Sequence, residues 1–597
     1  MSRAAPLSHS MRLVFLLALL GLIVLALAWR AVDLQVMTRD FLQDQGDARH
    51  LRALALPAHR GMITDRNGEP LAVSTPVDSV WANPKELALE RESWRPLARL
   101  LDMDVAELRD RIVQRADREF IYLRRHVDPA LAQRVMALEI PGVSLQREYR
   151  RYYPLGEVAA HLVGFTNIDD AGQEGIELAY ENWLRGTSGS KWVLKDRLGH
   201  VVENVAGIKE PDPGRDLVLS IDNRIQYLTY RELKAAVQLH RARSGSAVVL
   251  DIATGEVLAM VNQPSYNPNN REGMRSDLLR NRAVTDLFEP GSTVKPFTVA
   301  AALETGKYRP GTYIDTAPGY YKIGRHLVRD ASNYGYIDVT TVIEKSSNVG
   351  VSKIALAIDP AQMWRMFSGV GFGQPTGGNF PGEVTGLLAD YRGWKEIERA
   401  TLSFGYGLSV TPLQLGLAYA VLGDGGRLKP ASFVPVTGAV ETREVMSEKT
   451  AGEIVRMMET VVSEQGTANL ARVAGYRVAG KTGTVQKLGA DGYSDQHYVA
   501  VFAGLAPASD PRLAMVVVIN EPRGEEYYGG LVAAPVFSRV MTGALRVLGV
   551  MPDELPRQWQ ADAGARKRAA GRDADAPVST AAESHARPVL AGSQEVM

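Results

Sequence analysis

From Leu13 to Ala28 the chain carries no polar side chain: LVFLLALLGLIVLALA. With Met11, Trp29 and Ala31-Val32 at its ends, the apolar segment reaches about 20 residues, the length that spans a bilayer. Backbone in lipid must satisfy its own hydrogen bonds, so this segment has to be a helix. It also decides where everything after it goes. Arg3 and Arg12 precede it with no acid nearby, whereas Arg30 and Arg39 follow together with Asp33 and Asp40. Acids count for little in orientation, so the N-terminus is expected inside. Trp29 suits the interface belt. A cleaved signal peptide competes, because Ala26-Leu27-Ala28 is an acceptable small-x-small site. The length of the stretch, and its continuation through Trp29 to Leu34, favour an anchor. On either reading the bulk of the chain lies outside the cytoplasm. The chain has no cysteine, which excludes thiolate metal sites, disulfides and cysteine catalysis. A formal net charge of zero gives no argument for nucleic-acid binding.

A chain of 597 residues is too long for one core. Five segments are expected: a cytoplasmic N-terminus over 1–11, the transmembrane anchor over 12–32, a non-catalytic pedestal over 33–215, a catalytic domain over 216–555, and a disordered tail over 556–597. In the pedestal, Asp33 to about Asp47 reads as a polar helical stalk. Asp65-Arg66-Asn67-Gly68 is a hairpin signal between short apolar strands. Residues 85–135 read as small helices. Arg150-Arg151-Tyr152-Tyr153-Pro154 reads as the start of another compact piece, and Gly172 to Glu177 leads into a helix ending at Leu184. Pro211-Asp212-Pro213-Gly214 is a boundary signal. Leu217 to Ile221 then reads as a strand, and Asp222 as the cap of a helix through Leu239. Ser246–Asp251 and Glu256–Val261 form a hairpin around Ala253-Thr254-Gly255. Ala514–Ile519 is a fully apolar strand expected at the centre of the same sheet. The helix Val536–Leu548 closes the domain at Gly549.

Chemistry enters at Glu289-Pro290-Gly291-Ser292-Thr293-Val294-Lys295-Pro296-Phe297. Proline is tolerated in the first turn of a helix, so Pro296 dates a helix start near Ser292, and Gly306 reads as its stop. Residues three apart share a helix face, so Lys295 can face Ser292 as a base facing a nucleophile. Alone, Ser-x-x-Lys is more often a solvated serine and lysine. It recurs at Ser188-Gly189-Ser190-Lys191, in a Gly/Ser-rich stretch that reads as a turn.

Two further motifs change the balance. Ser346-Ser347-Asn348 follows 54 residues (346 − 292) after Ser292, offering a hydroxyl and an amide from one tight turn. Gly480-Lys481-Thr482-Gly483-Thr484 follows Tyr476-Arg477-Val478-Ala479, which alternates like an edge strand. Its glycines would let a substrate backbone approach and add to the sheet. Ser265-Tyr266-Asn267 matches the second motif but precedes the nucleophile, and Lys-Thr-Gly occurs once. Tyr406 to Pro412 reads as a turn leading into a helix.

The ordered trio, with Arg60-Gly61, Asp65–Gly68, Gly172 to Glu177 and Tyr527-Tyr528-Gly529-Gly530, resembles the class B penicillin-binding proteins, and within them the division-specific branch. The resemblance runs from the anchor to about residue 550. It implies an α+β fold: a penicillin-binding/serine-β-lactamase-like transpeptidase domain, with a central antiparallel sheet and helices, on an elongated α+β pedestal. It implies a serine-type D,D-transpeptidase acting on peptidoglycan stem peptides that end in D-Ala-D-Ala, and acylated by β-lactams. Ser292 would be the nucleophile, Lys295 the base, and Ser346, Asn348 and Lys481 their catalytic partners. Thr482, Gly483 and Thr484 would bind substrate, with the N–H groups of Ser292 and Thr484 as the oxyanion hole. No metal or organic cofactor is needed. A lipid-II-polymerising glycosyltransferase of the SEDS family (FtsW-like) and other division proteins are the implied partners. The implied location is the inner membrane, with one span, a cytoplasmic N-terminus and a periplasmic catalytic domain.

Two other functions compete: a D,D-carboxypeptidase or β-lactamase-type hydrolase, and a non-catalytic β-lactam sensor or scaffold. A hydrolase needs a base for water. The Glu-x-x-Leu-Asn signature of class A β-lactamases is absent, since Glu383 is followed by Val384-Thr385-Gly386-Leu387. Transfer to an amine is therefore favoured over hydrolysis, and the complete trio speaks against a vestigial site.

Overall fold

The computed structural model describes residues 9–39, 51–195, 201–489 and 492–554. The apolar segment is one helix, His9–Val32, extended by a wider turn over Asp33–Met37. Its side chains from Leu13 onward are exposed, the pattern of a helix whose apolar faces await lipid. A second long apolar helix, in the closing Gly529–Val547 segment, is mostly buried and belongs to the core. Most of the expected stalk, and the whole expected tail from 556, lie outside the described residues.

The N-terminal part is built from β1 (Leu51–Leu56), β2 (Ile63–Thr64), β3 (Pro70–Ala82), β4 (Ile121–Val127), β5 (Val143–Tyr152), β6 (Gly189–Lys195), β7 (Val201–Lys209) and β8 (Leu217–Val218). The hairpin signal holds: Gly68 takes φ +86° between β2 and β3, a conformation open to glycine without Cβ strain. Other local expectations change. Residues 85–135 include β4 as well as helices. Arg150-Arg151-Tyr152 ends β5, which pairs along almost the whole of β3. The second Ser-x-x-Lys match enters β6, which pairs with β1, so it is strand and not turn. Of Leu217–Ile221 only two residues are strand, and these pair in parallel with β2 in the N-terminal sheet. Small helices cover one end of β3–β5 and enclose a separate core around Val80, Leu97, Leu108, Ile121 and Val135.

Most of the remainder shares one core around a five-stranded antiparallel sheet, beside a small separate cluster of Ile323, Val328, Val349 and Ala400. β9 (Ser244–Asp251) and β10 (Val257–Gln263) are the expected hairpin. Between them and the rest of the sheet come two small hairpin pairs, β11 (Tyr313–Asp315) with β14 (Tyr336–Asp338) and β12 (Tyr320–Ile323) with β13 (His326–Arg329), then β15 (Arg427–Leu428) with β16 (Arg443–Glu444). β17 (Ala479–Gly489), β18 (Gly492–Ala506) and β19 (Leu513–Asn520) complete the sheet in the order β10-β9-β19-β18-β17. β19 is central, as its unbroken apolar run requires, and β17 is an edge. The helix Asn223–Leu239, capped by Asp222, and the closing helix Ala534–Val547 pack on each other and on the sheet. Lys295–Glu304 and Pro412–Gly423 are almost wholly buried helices.

Candidate active site

Ser292 lies in a 3-10 turn, Gly291–Val294, and the α-helix proper begins at Lys295 with Pro296 in its first turn. The helix start is thus one turn later than Pro296 alone suggested, because Pro290-Gly291 tightens the entry. Gly291 has φ +55° and its N–H donates to Gly405 O at 3.2 Å. The turn is anchored from below by Tyr419, whose hydroxyl donates to Thr293 O at 2.9 Å.

Lys295 is fully buried. Its Nζ contacts Ser346 O at 2.5 Å, Ser346 Oγ at 3.0 Å and Asn348 Oδ1 at 2.7 Å. Ser346 stands at φ +58°, so its backbone turns sharply and presents both its oxygens to the lysine. Ser347 caps the helix Asn348–Ala357. The turn is clamped by Asp330, at the end of β13. Its carboxylate accepts from Ser347 Oγ (2.6 Å), Asn348 N (2.5 Å) and Val349 N (3.0 Å). Asn348 Nδ2 donates to Arg329 O at 3.0 Å.

Lys481 is also fully buried and reaches the same hydroxyl, Ser346 Oγ, at 3.0 Å. It sits in β17, which begins at Ala479; the alternating Tyr476–Val478 lies just before the strand. Thr482 Oγ1 meets Thr467 Oγ1 at 3.1 Å, and Thr484 Oγ1 accepts from Gly529 N at 3.0 Å. Gly483 lies close against the Ser292 turn, since a Cβ there would come within 3.0 Å of Pro290 O and 3.1 Å of Thr293 Cγ2. Ser346, Asn348 and Lys481 are therefore joined to Lys295 in one hydrogen-bonded set. Ser292 belongs to the adjoining turn, and among the described residues no hydrogen bond reaches its hydroxyl.

Burial, and then the charge of Lys481, hold the Lys295 amine well below its ordinary value, against an opposing pull from Asp330. Burial brings Lys481 down to about 7. Two buried amines sharing one hydroxyl resist being charged together. A base with its proton removed and a neighbouring ammonium are what this arrangement favours near neutral pH.

Sequence reasoning missed Asp330, because a clamp 16 residues (346 − 330) before its turn belongs to none of the motifs. It also missed the partners of Glu289, which accepts from Gly407 N at 2.8 Å and Tyr493 OH at 3.0 Å. Burial raises the Glu289 carboxyl. Glu383 accepts from Thr376 N at 2.7 Å in a loop and takes no part in this set. Among the described residues no cluster of three or more His, Asp or Glu side chains is placed to hold a metal ion.

Two family models match the chain: the penicillin binding protein transpeptidase domain over residues 245–542, and the penicillin-binding protein dimerisation domain over 55–219. The chain is 47% identical over 545 residues to the peptidoglycan D,D-transpeptidase FtsI of Escherichia coli K12, covering 90% of this chain and 92% of that one. Among solved structures it is similar to the transpeptidase domain of Burkholderia pseudomallei penicillin-binding protein 3, at 42% identity and TM-score 0.53, over 57% of this chain and 98% of that one. It is similar over 85% of its length, and 98% of the other's, to a peptidoglycan synthetase of Bifidobacterium adolescentis, at 25% identity and TM-score 0.67. With both domain models matched and a close relative covered almost end to end, the chain belongs to the class B penicillin-binding proteins, which join a dimerisation domain to a transpeptidase domain.

Proposed function

We propose that this chain is a membrane-anchored peptidoglycan D,D-transpeptidase of cell division, working through an acyl-enzyme on Ser292. One observation carries the reading: Lys295, Ser346, Asn348 and Lys481 are hydrogen-bonded into one set beside Ser292, in a chain 47% identical to the peptidoglycan D,D-transpeptidase FtsI of Escherichia coli K12.

A stem peptide ending in D-Ala-D-Ala adds along the free edge of β17, its terminal carboxylate held by Thr482 and Thr484 with the charge of Lys481 behind them. Ser292 Oγ attacks the penultimate carbonyl while its proton passes to neutral Lys295. That contact forms as substrate closes the site, as is common for catalytic hydrogen bonds. The N–H groups of Ser292 and Thr484 receive the oxyanion, a contribution of about 3 kcal/mol per donor. The C–N bond then breaks, and Ser346, supplied by the lysines on either side, protonates the departing D-Ala nitrogen. An amine from a second stem attacks the ester, loses its proton to the same set, and restores the Ser292 hydroxyl. Asn348 orients the peptide backbone. A β-lactam follows the first half of this path and remains attached.

The Glu-x-x-Leu-Asn signature is absent at Glu383, which supports amine transfer over hydrolysis. The helix His9–Val32 serves as a single inner-membrane span with the N-terminus cytoplasmic and the catalytic domain periplasmic. The pedestal and anchor dock an FtsW-like SEDS glycosyltransferase and other division proteins. The test is labelling with fluorescent penicillin, paired with a cross-linking assay on uncross-linked peptidoglycan. Wild type labels and cross-links, whereas Ser292→Ala does neither. Labelling that persists in Ser292→Ala would sink the assignment, and fast penicillin turnover without cross-linking would favour the hydrolase.

A further inference from the structure

β17 is an edge strand, so one row of its N–H groups faces away from the sheet. Gln486 shows which row. Its N–H donates to the Tyr406 hydroxyl at 3.4 Å, and Tyr406 belongs to the turn before helix Pro412–Gly423, outside the sheet. Strand groups alternate with period two, so the N–H groups of Thr484 and Thr482 face the same free edge. Tyr406 therefore takes the ladder position next after Thr484. A peptide strand added to this edge reaches Thr482 and Thr484 and is then turned away by Tyr406.

Glu289 stands at that turning point. One of its oxygens, Oε1, accepts from Gly407 N at 2.8 Å and from Tyr493 OH at 3.0 Å. The rings of Tyr406 and Tyr493 meet edge to face, with centroids 5.2 Å apart and planes at 82°. The other oxygen, Oε2, has no hydrogen-bond partner among the described residues and is not sealed from solvent. Among the described residues no Lys, Arg or His pairs with this carboxylate. Carboxylates drawn into a protein are ordinarily paired. Burial without a cation raises the Glu289 carboxyl, and an arriving positive charge would oppose that. Two tyrosine rings beside the carboxylate suit the same kind of guest.

The transpeptidase reading supplies a cation. Stems of one polymer are chemically alike, and each is donor in one cycle and amine acceptor in another. A donor stem therefore carries a side-chain amine of its own, upstream of D-Ala-D-Ala. With the terminal carboxylate at Thr482 and the penultimate carbonyl at Thr484, the residue before D-Ala-D-Ala falls at the Tyr406 end of the edge. The attacking amine of the acceptor comes from the opposite end, since it replaces the departing D-Ala. That end belongs to Lys481, Ser346 and Asn348, the last two following the excursion β11–β14 between the Ser292 helix and the Ser346 turn. We propose that Glu289, framed by Tyr406 and Tyr493, is a specificity-determining site that pairs with the side-chain ammonium of the donor-stem residue preceding D-Ala-D-Ala. The inference rests on the transpeptidase reading and adds to it a subsite upstream of the reacting set.

The experiment uses the full-length protein in detergent and depsipeptide donors, acyl-X-D-Ala-D-lactate, with a D-amino acid as acceptor. X is lysine, or norleucine, which has the same carbon chain without the amine. Release of D-lactate reads kcat/KM for acylation, and ratios are compared among protein that labels with penicillin. Wild type is expected to favour the lysine donor by roughly five- to tenfold, chiefly through KM. Glu289→Gln keeps an oxygen for Gly407 N and Tyr493 OH but removes the charge, and in it the ratio falls to about one. In Glu289→Lys the preference passes to a donor whose X is 2-aminoadipate, a side chain ending in a carboxylate. No lysine preference in wild type would overturn the subsite. So would a ratio unchanged in Glu289→Gln with both donors slowed equally, the result for a carboxylate that only props the Gly407 turn and Tyr493. A preference lost in Glu289→Gln, but with the acyl chain passing only to water and never to the acceptor, would overturn the transpeptidase reading while leaving the subsite standing.

Discussion

Lys295 and Lys481 donate to one oxygen: each Nζ lies 3.0 Å from Ser346 Oγ. Two buried ammonium charges meeting at one hydroxyl repel each other, so the pair favours one charged amine beside one neutral amine. If Lys295 is neutral, its two N–H bonds serve Ser346 O and Asn348 Oδ1, and its lone pair faces the Ser346 hydroxyl. Lys481 then supplies the charge. The sequence places these residues 186 positions apart (481 − 295), and the fold makes them one titrating unit.

Under the proposed mechanism, that unit sets the pH dependence of Ser292 acylation. The rate is expected to rise with pH as Lys295 loses its proton, well below the ordinary lysine range, and to fall above about 7 as Lys481 loses its own. In Lys481→Gln the alkaline limb disappears. The acidic limb moves to higher pH, because the positive charge that depresses Lys295 is gone. Stopped-flow acylation by a fluorescent penicillin from pH 5 to 9 measures both limbs. The sign for folding is the reverse of a salt bridge. Between about 7 and the unfolded lysine value the unfolded chain binds more protons, so stability rises with pH across that window. An acidic limb that stays in place in Lys481→Gln would contradict the coupling.

Asp330 holds three donors of the Ser347–Val349 segment. In Asp330→Ala those groups lose their acceptor, at a cost of about 1–3 kcal/mol. Ser346, held at positive φ, loses its fixed orientation. Acylation is expected to slow by roughly 10- to 100-fold, with a fall of a few degrees in Tm. Removing the carboxylate also removes the group that pulls Lys295 upward, so the acidic limb shifts to lower pH, opposite to its shift in Lys481→Gln. Opposite shifts from two neighbours would separate charge from simple misfolding.

The pedestal carries a different buried charge cluster. Arg60 is 1% exposed and pairs with Glu177 and Glu181, each at 2.7 Å, while Arg151 takes the other oxygen of Glu177 at 2.7 Å. Arg60→Ala takes one of its two arginines from buried Glu177 and the nearer arginine from Glu181, which costs up to about 3–5 kcal/mol. Arg60→Lys is expected to recover little of this, because a point charge cannot bridge two carboxylates as a planar fork does. Urea unfolding followed by circular dichroism reads the loss. Penicillin labelling of the protein that remains folded should stay near wild type, since no catalytic residue touches the cluster.

Much of this was legible in the chain. The β9–β10 hairpin, the central β19, the capped helix from Asp222 and the closing helix carry strong local signals, and all stand where period and punctuation put them. Errors fell where partners decide. Arg150–Tyr152 reads as the start of a new compact piece, yet β3 pairs it as the end of a long strand. Leu217–Ile221 looks like a five-residue strand, but β2 offers it two residues of edge. In the site, the three motifs could be read because each is contiguous. Asp330 could not, because its role exists only through hydrogen bonds made after the excursion folds back on Ser347.

Gly405 offers the sharpest steric test of the nucleophile turn. It stands at φ +89°, and a Cβ there would lie 2.1 Å from Gly291 O and 2.4 Å from Gly291 N. Both contacts are backbone, so no side-chain rotation relieves them. Gly405→Ala must therefore push Gly291 away, and Gly291 carries Ser292 next to it. The same loop holds Glu289 through Gly407 N, so displacement reaches the turn from both sides. Acylation by penicillin is expected to fall by at least about 100-fold, as misplacement by an ångström does. The pedestal has its own core and keeps its secondary structure. Gly407→Ala is the control: it too has positive φ, at +88°, but its Cβ meets only the end of Leu402, at 3.7 Å or more. It pays the strain of φ without the clash, so it should lose stability yet keep measurable acylation. Equal loss of acylation in the two variants would show that backbone strain, and not contact with Gly291, is what positions Ser292.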